Sequence, residues 1–432
     1  MAKEFMGLPN GLAFLRRFFT PSESVRAPPP HTPLFFRGTP NPKNIRNFRL
    51  SGLKGKALAI KMSDIPSMKA ITEVVPKHCF ARKTSTSLAY LLQTVAIQAV
   101  IVAIGLAIPF TQAMIPVWIL YAFISGTTAM GFWVIAHECG HGAFSDNRTL
   151  QTVIGYLLHS FLLVPYFSWQ RSHSIHHRFT NHITDGETHV PIVVGGNGIS
   201  EKVGGENELA LSRALGKTRY GLMQLLLHLG FGWPAYLLTG STGGPKYGTS
   251  NHFWPREPFS KRLWPSNWVK KVWISDLGIA LVLIGLFISG LKYGITPLIA
   301  MYLGPLLVVN CWLVIYTWLH HTDTDVPHLS NSDFSFIRGA FLSIDRPYGK
   351  LLNFLHHQIG SSHVIHHIFP TIPHYHAREA TIAIKKAFPK TYLFNPVPIH
   401  KALWNIACNC IAVKPVEHDG QYIWQNAYTN QK

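Results

Sequence analysis

The chain has 432 residues, of which 47% are apolar and only 14% charged, against about 25% charged in an average soluble domain. So few charges cannot cover a soluble protein of this size, and the composition points to lipid. Its 39 Lys and Arg against 20 Asp and Glu give a net charge of +19, but the excess gathers before and between long apolar runs, with no basic helix or recognised RNA or DNA module, which argues against nucleic acid and fits segments flanking a membrane.

Residues 1–63 are rich in Pro and Arg, poor in acids and without sustained periodicity. They are expected to form a disordered, basic tail, with no secretory signal peptide. Low acid content also suits an organelle transit peptide, but the segment is not strongly Ser-rich and opens Met1-Ala2-Lys3-Glu4. The endoplasmic reticulum is therefore expected over a plastid membrane, which stays the alternative. Pro66 to Phe80 reads as a short helix leading to the first membrane segment.

Four apolar stretches, 88–109, 115–136, 272–291 and 295–319, are each long enough to cross about 30 Å of hydrocarbon as helices. They form two close pairs, so each hairpin returns the chain to the face it left. About fifteen Lys and Arg precede the first span against four acids, which predicts a cytosolic location for that face. Two shorter stretches, 150–166 and 221–238, contain Pro165, Gly230, Gly232 and Pro234 and read as interfacial helices, full spans being the alternative. The glycines of 193–205 follow no predicted strand and open no amphipathic helix, so a flexible loop is expected rather than a nucleotide site; 239–260 is likewise loop. The expected fold is an all-α integral membrane protein: four transmembrane helices in two hairpins, interfacial helices and a cytosolic cap. Its membrane domain spans 64–400, and 401–432 is expected as a C-terminal tail.

Histidine is unusually abundant, with 24 residues, and three clusters stand out: His137-Glu138-Cys139-Gly140-His141 after the second span, His173-Ser174-Ile175-His176-His177 one interfacial helix further on, and His363-Val364-Ile365-His366-His367 after the fourth span. On a helix, residues i, i+3 and i+4 share a face within about 6 Å, so each cluster presents two or three imidazoles toward one point. With two hairpins, all three clusters emerge on one side of the membrane. Eight imidazoles exceed the roughly four to six ligands one ion takes, which implies two metals. Imidazole suits Zn, Cu, Fe and Ni, whereas Ca and Mg want oxygen, and spacing alone does not separate iron from zinc.

Around the clusters, either His320 or His321 at the end of the fourth span can turn toward the metals, and His321 is preferred as a ninth ligand. His357 is expected to support ligands, as are Asp345 and Arg346, which orient them or close a loop. His182, His189, His328, His374 and His376 are left as loop or supporting residues, and the lone His159 and His228 receive no role. Cys79, Cys139, Cys311, Cys408 and Cys410 form no CxxC pair, and their odd number suits free thiols on a reducing face; palmitoylation of Cys408 and Cys410 is the alternative. His137-Glu138-Cys139-Gly140-His141 also matches the zinc-protease HExxH pattern, in which Glu138 would be the general base. Two further HxxHH clusters are superfluous to that chemistry.

At these clusters the sequence resembles the membrane fatty acid desaturases, whose three boxes read HxxxH, HxxHH and HxxHH, over about residues 65–392. Val164-Pro165-Tyr166-Phe167-Ser168-Trp169, Ile344-Asp345-Arg346 and Tyr348-Gly349 are similar to the methyl-end group of that family. The first box is more like Δ12 enzymes. His363-Val364-Ile365-His366-His367 followed by Ile372-Pro373-His374-Tyr375-His376 is more like ω-3 enzymes. Δ12 desaturation of oleoyl to linoleoyl is preferred, with an ω-3 desaturase or a hydroxylase on the same scaffold as alternatives. The resemblance implies two iron ions held by His137, His141, His173, His176, His177, His321, His363, His366 and His367, with O2 as oxidant, an acyl-lipid substrate, and cytochrome b5 or ferredoxin as donor. No His-Pro-Gly-Gly haem motif occurs in the 432 residues, so a separate donor protein is expected. No catalytic residue beyond the metal ligands is expected, since nothing acidifies the C–H bonds of an alkyl chain and a strong oxidant must do the work. A non-enzymatic metal transporter is the rival from another class, but it would want ligands near the bilayer midplane rather than beyond the span ends.

Overall fold

The computed structural model describes residues 52–416 and 420–428; the tail and transit-peptide expectations for residues 1–51 lie outside the described residues. Residues 52–63 are not tail. Leu53, Ala57 and Ile60 are buried against Val326, Leu342, Ile344 and Leu393, and the Ile60 carbonyl accepts from Arg338 Nη2 at 3.0 Å. Apolar residues spaced through 53–60 carried that signal within a segment otherwise dominated by Pro and Arg.

Helix α1 (Met68–Val74) starts where the Ser67 hydroxyl accepts the Ala70 N–H, and a 3-10 turn (Lys77–Phe80) follows it. Four helices among the described residues are long and apolar enough to cross a membrane: α2 (Thr84–Leu106), α3 (Ile115–His141), α8 (Ser266–Tyr293) and α9 (Ile295–His321). Each agrees with one of the four expected spans. The informative difference is at α3, which continues five residues past the expected end at 136 and carries the first histidine cluster on its own last turn. It stops at Gly142, whose φ of +76° reverses the chain at low steric cost.

Between the hairpins, α4 (Arg148–Phe161) and α5 (Tyr166–Arg178) meet at a 103° bend. Pro165 causes it: the ring has no N–H to continue the helix and disfavours helical backbone at Val164. Helix α6 (Gly205–Leu215) opens directly at Gly205, although no helix was expected there, and the glycine-rich residues before it are tied down by Val193 N–H donating to the Lys202 carbonyl at 2.8 Å. Helix α7 (Lys217–Thr239) runs through Gly230, Gly232 and Pro234, because tertiary packing supplies what local propensity lacks. Within α9, a π turn at Ile299–Leu303 gives Pro305 room that a regular turn would deny.

The remaining helices are α10 (Phe336–Phe341), α11 (Gly349–Leu355), α12 (His363–Ile368), α13 (His374–Ala387) and α14 (Ile399–Asn409). Strands β1 (His328–Leu329), β2 (Val413–Pro415) and β3 (Gln421–Trp424) form a small antiparallel sheet in the order β1-β3-β2, with Leu329 opposite Gln421 and Val413 opposite Trp424. The residues expected as a tail from 401 thus contain a packed helix and two of these strands. Ala402, Ile406 and Ala407 of α14 join the central core, a role hidden from sequence because an eleven-residue amphipathic helix does not name its partner.

That core places α3 and α9 at the centre. Met130, Trp133 and Val134 of α3 pack with Trp312, Leu313 and Leu319 of α9 and Trp233 and Leu237 of α7, and Trp312 Nε1 donates to Thr127 Oγ1 at 2.9 Å. In its most apolar stretch α3 is 67% buried by protein, against 11% for α2 and 17% for α8, so the flanking helices turn residues such as Leu92, Ile104, Leu281 and Phe287 outward. Outward apolar rows on such helices are the lipid-facing surface a membrane protein needs.

Candidate metal centre

Four elements deliver the expected ligands to one place: the last turn of α3 (His137, His141), the second half of α5 (His173, His176, His177), the end of α9 (His321), and α12 (His363, His366, His367). The nine rings divide into two sets. In the first, one ring nitrogen from each of His137, His141, His173, His177 and His366 lies within 4.8 Å of all the others. His173 Nε2 is 3.0 Å from His137 Nε2 and 3.2 Å from His177 Nε2. His176, His321 and His367 make the second set, joined by His363, whose Nε2 is 3.0 Å from both His321 Nε2 and His367 Nε2. His176 Nε2 lies 3.1 Å from His321 Nε2. The sets touch where the His177 and His367 rings stack at 4.1 Å.

Helix geometry explains why the pattern is HxxHH. At about 100° per residue, i+4 lies about 40° to one side of i and i+3 about 60° to the other, so the adjacent i+3 and i+4 rings diverge by about 100°. So His173 and His177 serve the first set and His176 the second, while His363 and His367 serve the second and His366 the first. Each short helix therefore bridges two sites.

The donor set fits a pair of cations. Seven of the nine rings are buried, and His141 and His173 are half-buried. Burial, then the neighbouring imidazoles, hold His363, His366 and His367 well below the usual histidine range, so these rings are neutral and offer lone pairs. His141 Nε2 and His366 Nε2 are buried without a protein partner inside the first set. A buried polar atom left so costs about 1–3 kcal/mol unless something binds it.

Surrounding groups aim the rings. The Asp345 carboxylate accepts the backbone N–H groups of His363 at 2.5 Å and Val364 at 3.0 Å and the Tyr392 hydroxyl at 2.7 Å. Burial pushes that carboxyl up to about 6, against those hydrogen bonds. Arg346 holds the end of α9, donating to the carbonyls of Leu319 and Thr322 and to Asp323 Oδ2. These two residues orient and tie, as the sequence suggested. His320 faces away, with Nε2 against the Gly360 carbonyl at 3.1 Å, leaving His321 in the cluster. His357 meets Thr94 Oγ1 at 3.1 Å and the His374 ring. His182 closes a loop through Asn331 and the Thr184 N–H, and His328 meets the His189 carbonyl. His159 packs among Trp133, Tyr166 and Trp169, and His228 stacks on Trp318.

Three supporting residues escaped the sequence reading. Thr180 Oγ1 lies 3.0 Å from His367 Nδ1; its place four residues after His176 was the available signal. Gly140 lets α5 approach, since a Cβ there would sit 2.6 Å from the Trp169 ring. Glu138 lies behind the ligands: one oxygen accepts the His374 N–H at 2.9 Å and the other is 3.6 Å from His137 Nδ1. Glu138 is thus turned from the converging Nε2 atoms, which removes the general base a protease reading needs.

One recess opens on this centre and a second ends beside it. The first, of about 290 Å³, is lined by His141, His173, Gln170, Trp169 and Trp268. The second, of about 380 Å³, includes His189, Trp318, Thr322, Leu227 and Ile411, and its His189 ring is 5.7 Å from that of His321.

Residues 113–395 match the fatty acid desaturase family. The chain is 38% identical to a Delta(12) fatty acid desaturase of Calendula officinalis, over 82% of this chain and 90% of that one. It is 37% identical to the Delta(12)-fatty-acid desaturase of Arabidopsis thaliana, over 81% and 88%. With an omega-6 fatty acid desaturase, endoplasmic reticulum, of Brassica juncea it shares 36% identity, over 80% and 87%.

Proposed function

The chain belongs to the fatty acid desaturase family, and on that premise we propose that it places a cis double bond at the Δ12 position of a lipid-linked oleoyl chain. The observation that carries the reading is the convergence of nine imidazoles into two adjoining sets at the ends of two membrane hairpins. Similarity to relatives named Delta(12) and omega-6 desaturases supports the regiochemistry, and the relative named for the endoplasmic reticulum supports that membrane, with the histidine side facing the cytosol.

The reaction is –CH2–CH2– plus O2, two electrons and two protons, giving –CH=CH– and two waters. The electrons come from a separate cytochrome b5 or ferredoxin. The residues that would hold the two irons are His137, His141, His173, His177 and His366 for one, and His176, His321, His363 and His367 for the other. An iron pair supplies the oxidising power, drawn from O2, that unactivated C–H bonds demand. The protein's own share is position. Neutral rings keep their lone pairs directed inward, Asp345 and Arg346 fix two of the three elements that carry the second set, and packed Trp and Leu side chains bury that set. The 380 Å³ recess, walled by Trp318, Leu227 and Ile411 beside His189, is where the acyl chain lies. Its shape and its distance from the histidines fix which carbon pair reacts.

The test is expression in yeast with fatty-acid methyl ester profiling and mass-spectrometric location of the double bond. A new Δ12 diene that vanishes in His176→Ala supports the proposal; a diene at another position overturns the regiochemistry, and no new unsaturated product overturns the whole.

A further inference from the structure

A second cluster of metal-binding side chains lies apart from the nine histidines and shares no residue with them. His78 and Cys79 come from the 3-10 turn before the first span, and His376 and Glu379 from the first turns of α13. His376 and Glu379, three residues apart, share a helix face. One donor atom from each of the four lies within 4.8 Å of the rest. His78 Nε2 is 2.8 Å from Glu379 Oε2 and 3.8 Å from Cys79 Sγ, and the His78 and His376 rings are 5.4 Å apart. With metal bonds of 2.0–2.3 Å, the edges of a tetrahedral site are roughly 3.3–3.8 Å, so small side-chain adjustments suffice to close this one.

We propose that His78, Cys79, His376 and Glu379 form a mononuclear site for a divalent cation of the zinc class. The donor set decides the class. One thiolate, two imidazoles and a carboxylate suit Zn²⁺, whereas Ca²⁺ and Mg²⁺ prefer all-oxygen shells. Cys79 is buried against Ile71, Val75 and Phe341, so its sulfur is fixed, while His78 and Glu379 are half exposed and leave a path from solvent. Burial, then the Glu379 charge, pushes the Cys79 thiol up to about 11. Binding M²⁺ forms the S–M bond and releases that proton to solvent, with no change of oxidation state.

The position gives the site a purpose. The turn carrying Cys79 and helix α13 both pack on α12, where Val364, Ile365 and Ile368 meet Ile71, Cys79, Ala377 and Ala380. A cation here pins the segment entering the first span to the helix that follows the third histidine box, and so clamps α12 from its outer side. This proposal stands independently of the desaturase reading.

The test uses the full-length protein in detergent, iron-loaded and then equilibrated with Zn²⁺ or Co²⁺. Wild type is expected to hold one zinc per chain beyond its iron and to show a near-ultraviolet thiolate-to-cobalt band. Cys79→Ser abolishes the band, and Cys79→Ser, His376→Asn and Glu379→Gln each lower the bound zinc at least fivefold while iron content is kept. His376→Asn and Glu379→Gln alter partly exposed side chains, so they remain informative if Cys79→Ser fails to fold. Zinc content equal to wild type in both, or a wild-type cobalt spectrum with no thiolate band, overturns the proposal.

Discussion

The helices that carry the first and third histidine boxes are held by opposite means. Helix α3 runs 27 residues, and its last turn inherits direction from a shaft buried between α9 and α4, so His137 and His141 are aimed by the whole helix. Helix α12 has six residues, far below the roughly 12–15 at which an isolated helix becomes even marginal. It exists because Asp345 accepts two N–H groups at its start and because α1 and α13 pack around it. The lesson is that one ligand pattern can rest on local periodicity in one place and on distant residues in another, and that the second kind is the more easily broken.

The largest expected effect ignores that difference. His176→Ala removes a ring from the second set outright, and product formation in yeast should fall by more than the roughly 100-fold that loss of a supporting residue costs, with bound iron reduced. Retention of wild-type activity would separate the centre from the chemistry altogether. The comparison is sharpened by a matched pair: Asp345→Asn should lower iron content and activity by about 10–100-fold, whereas Glu138→Gln, behind a box held by its own helix, should cost about 10-fold or less. Equal losses would break the contrast.

Smaller is the effect of Gly140→Ala, which forces α3 from Trp169 of α5. A melting experiment should show a loss of about 1–3 kcal/mol, and no change would mean that the two boxes tolerate separation. Least is a pH effect away from both boxes. Glu187 is buried with the Tyr236 hydroxyl donating to it at 2.8 Å, and burial raises its carboxyl to about 8 from 4.5. The folded protein keeps a proton the unfolded chain releases, so this stabilisation is full below about 4.5 and is lost as pH rises through about 8. Melting temperature should therefore drop between about pH 5 and 8, and Glu187→Gln should flatten the drop; an unchanged slope in the variant would assign it elsewhere.

Sequence by itself determined the four spans, because about twenty apolar residues in a row have few other uses, and it singled out eight histidines of the centre, because HxxxH and HxxHH are helical spacings that survive without knowledge of the fold. Only the tertiary structure decided that each HxxHH box splits between two sets, that His321 and not His320 turns inward, and that Glu138 and Thr180 stand behind ligands. It also decided that 52–63, 401–416 and 420–428 are packed, and that His78 and Cys79 meet His376 and Glu379 across some 300 positions of chain. Periodicity is a property of neighbours along the chain, whereas partner choice between short helices depends on which distant surfaces fit, and no local pattern carries that information.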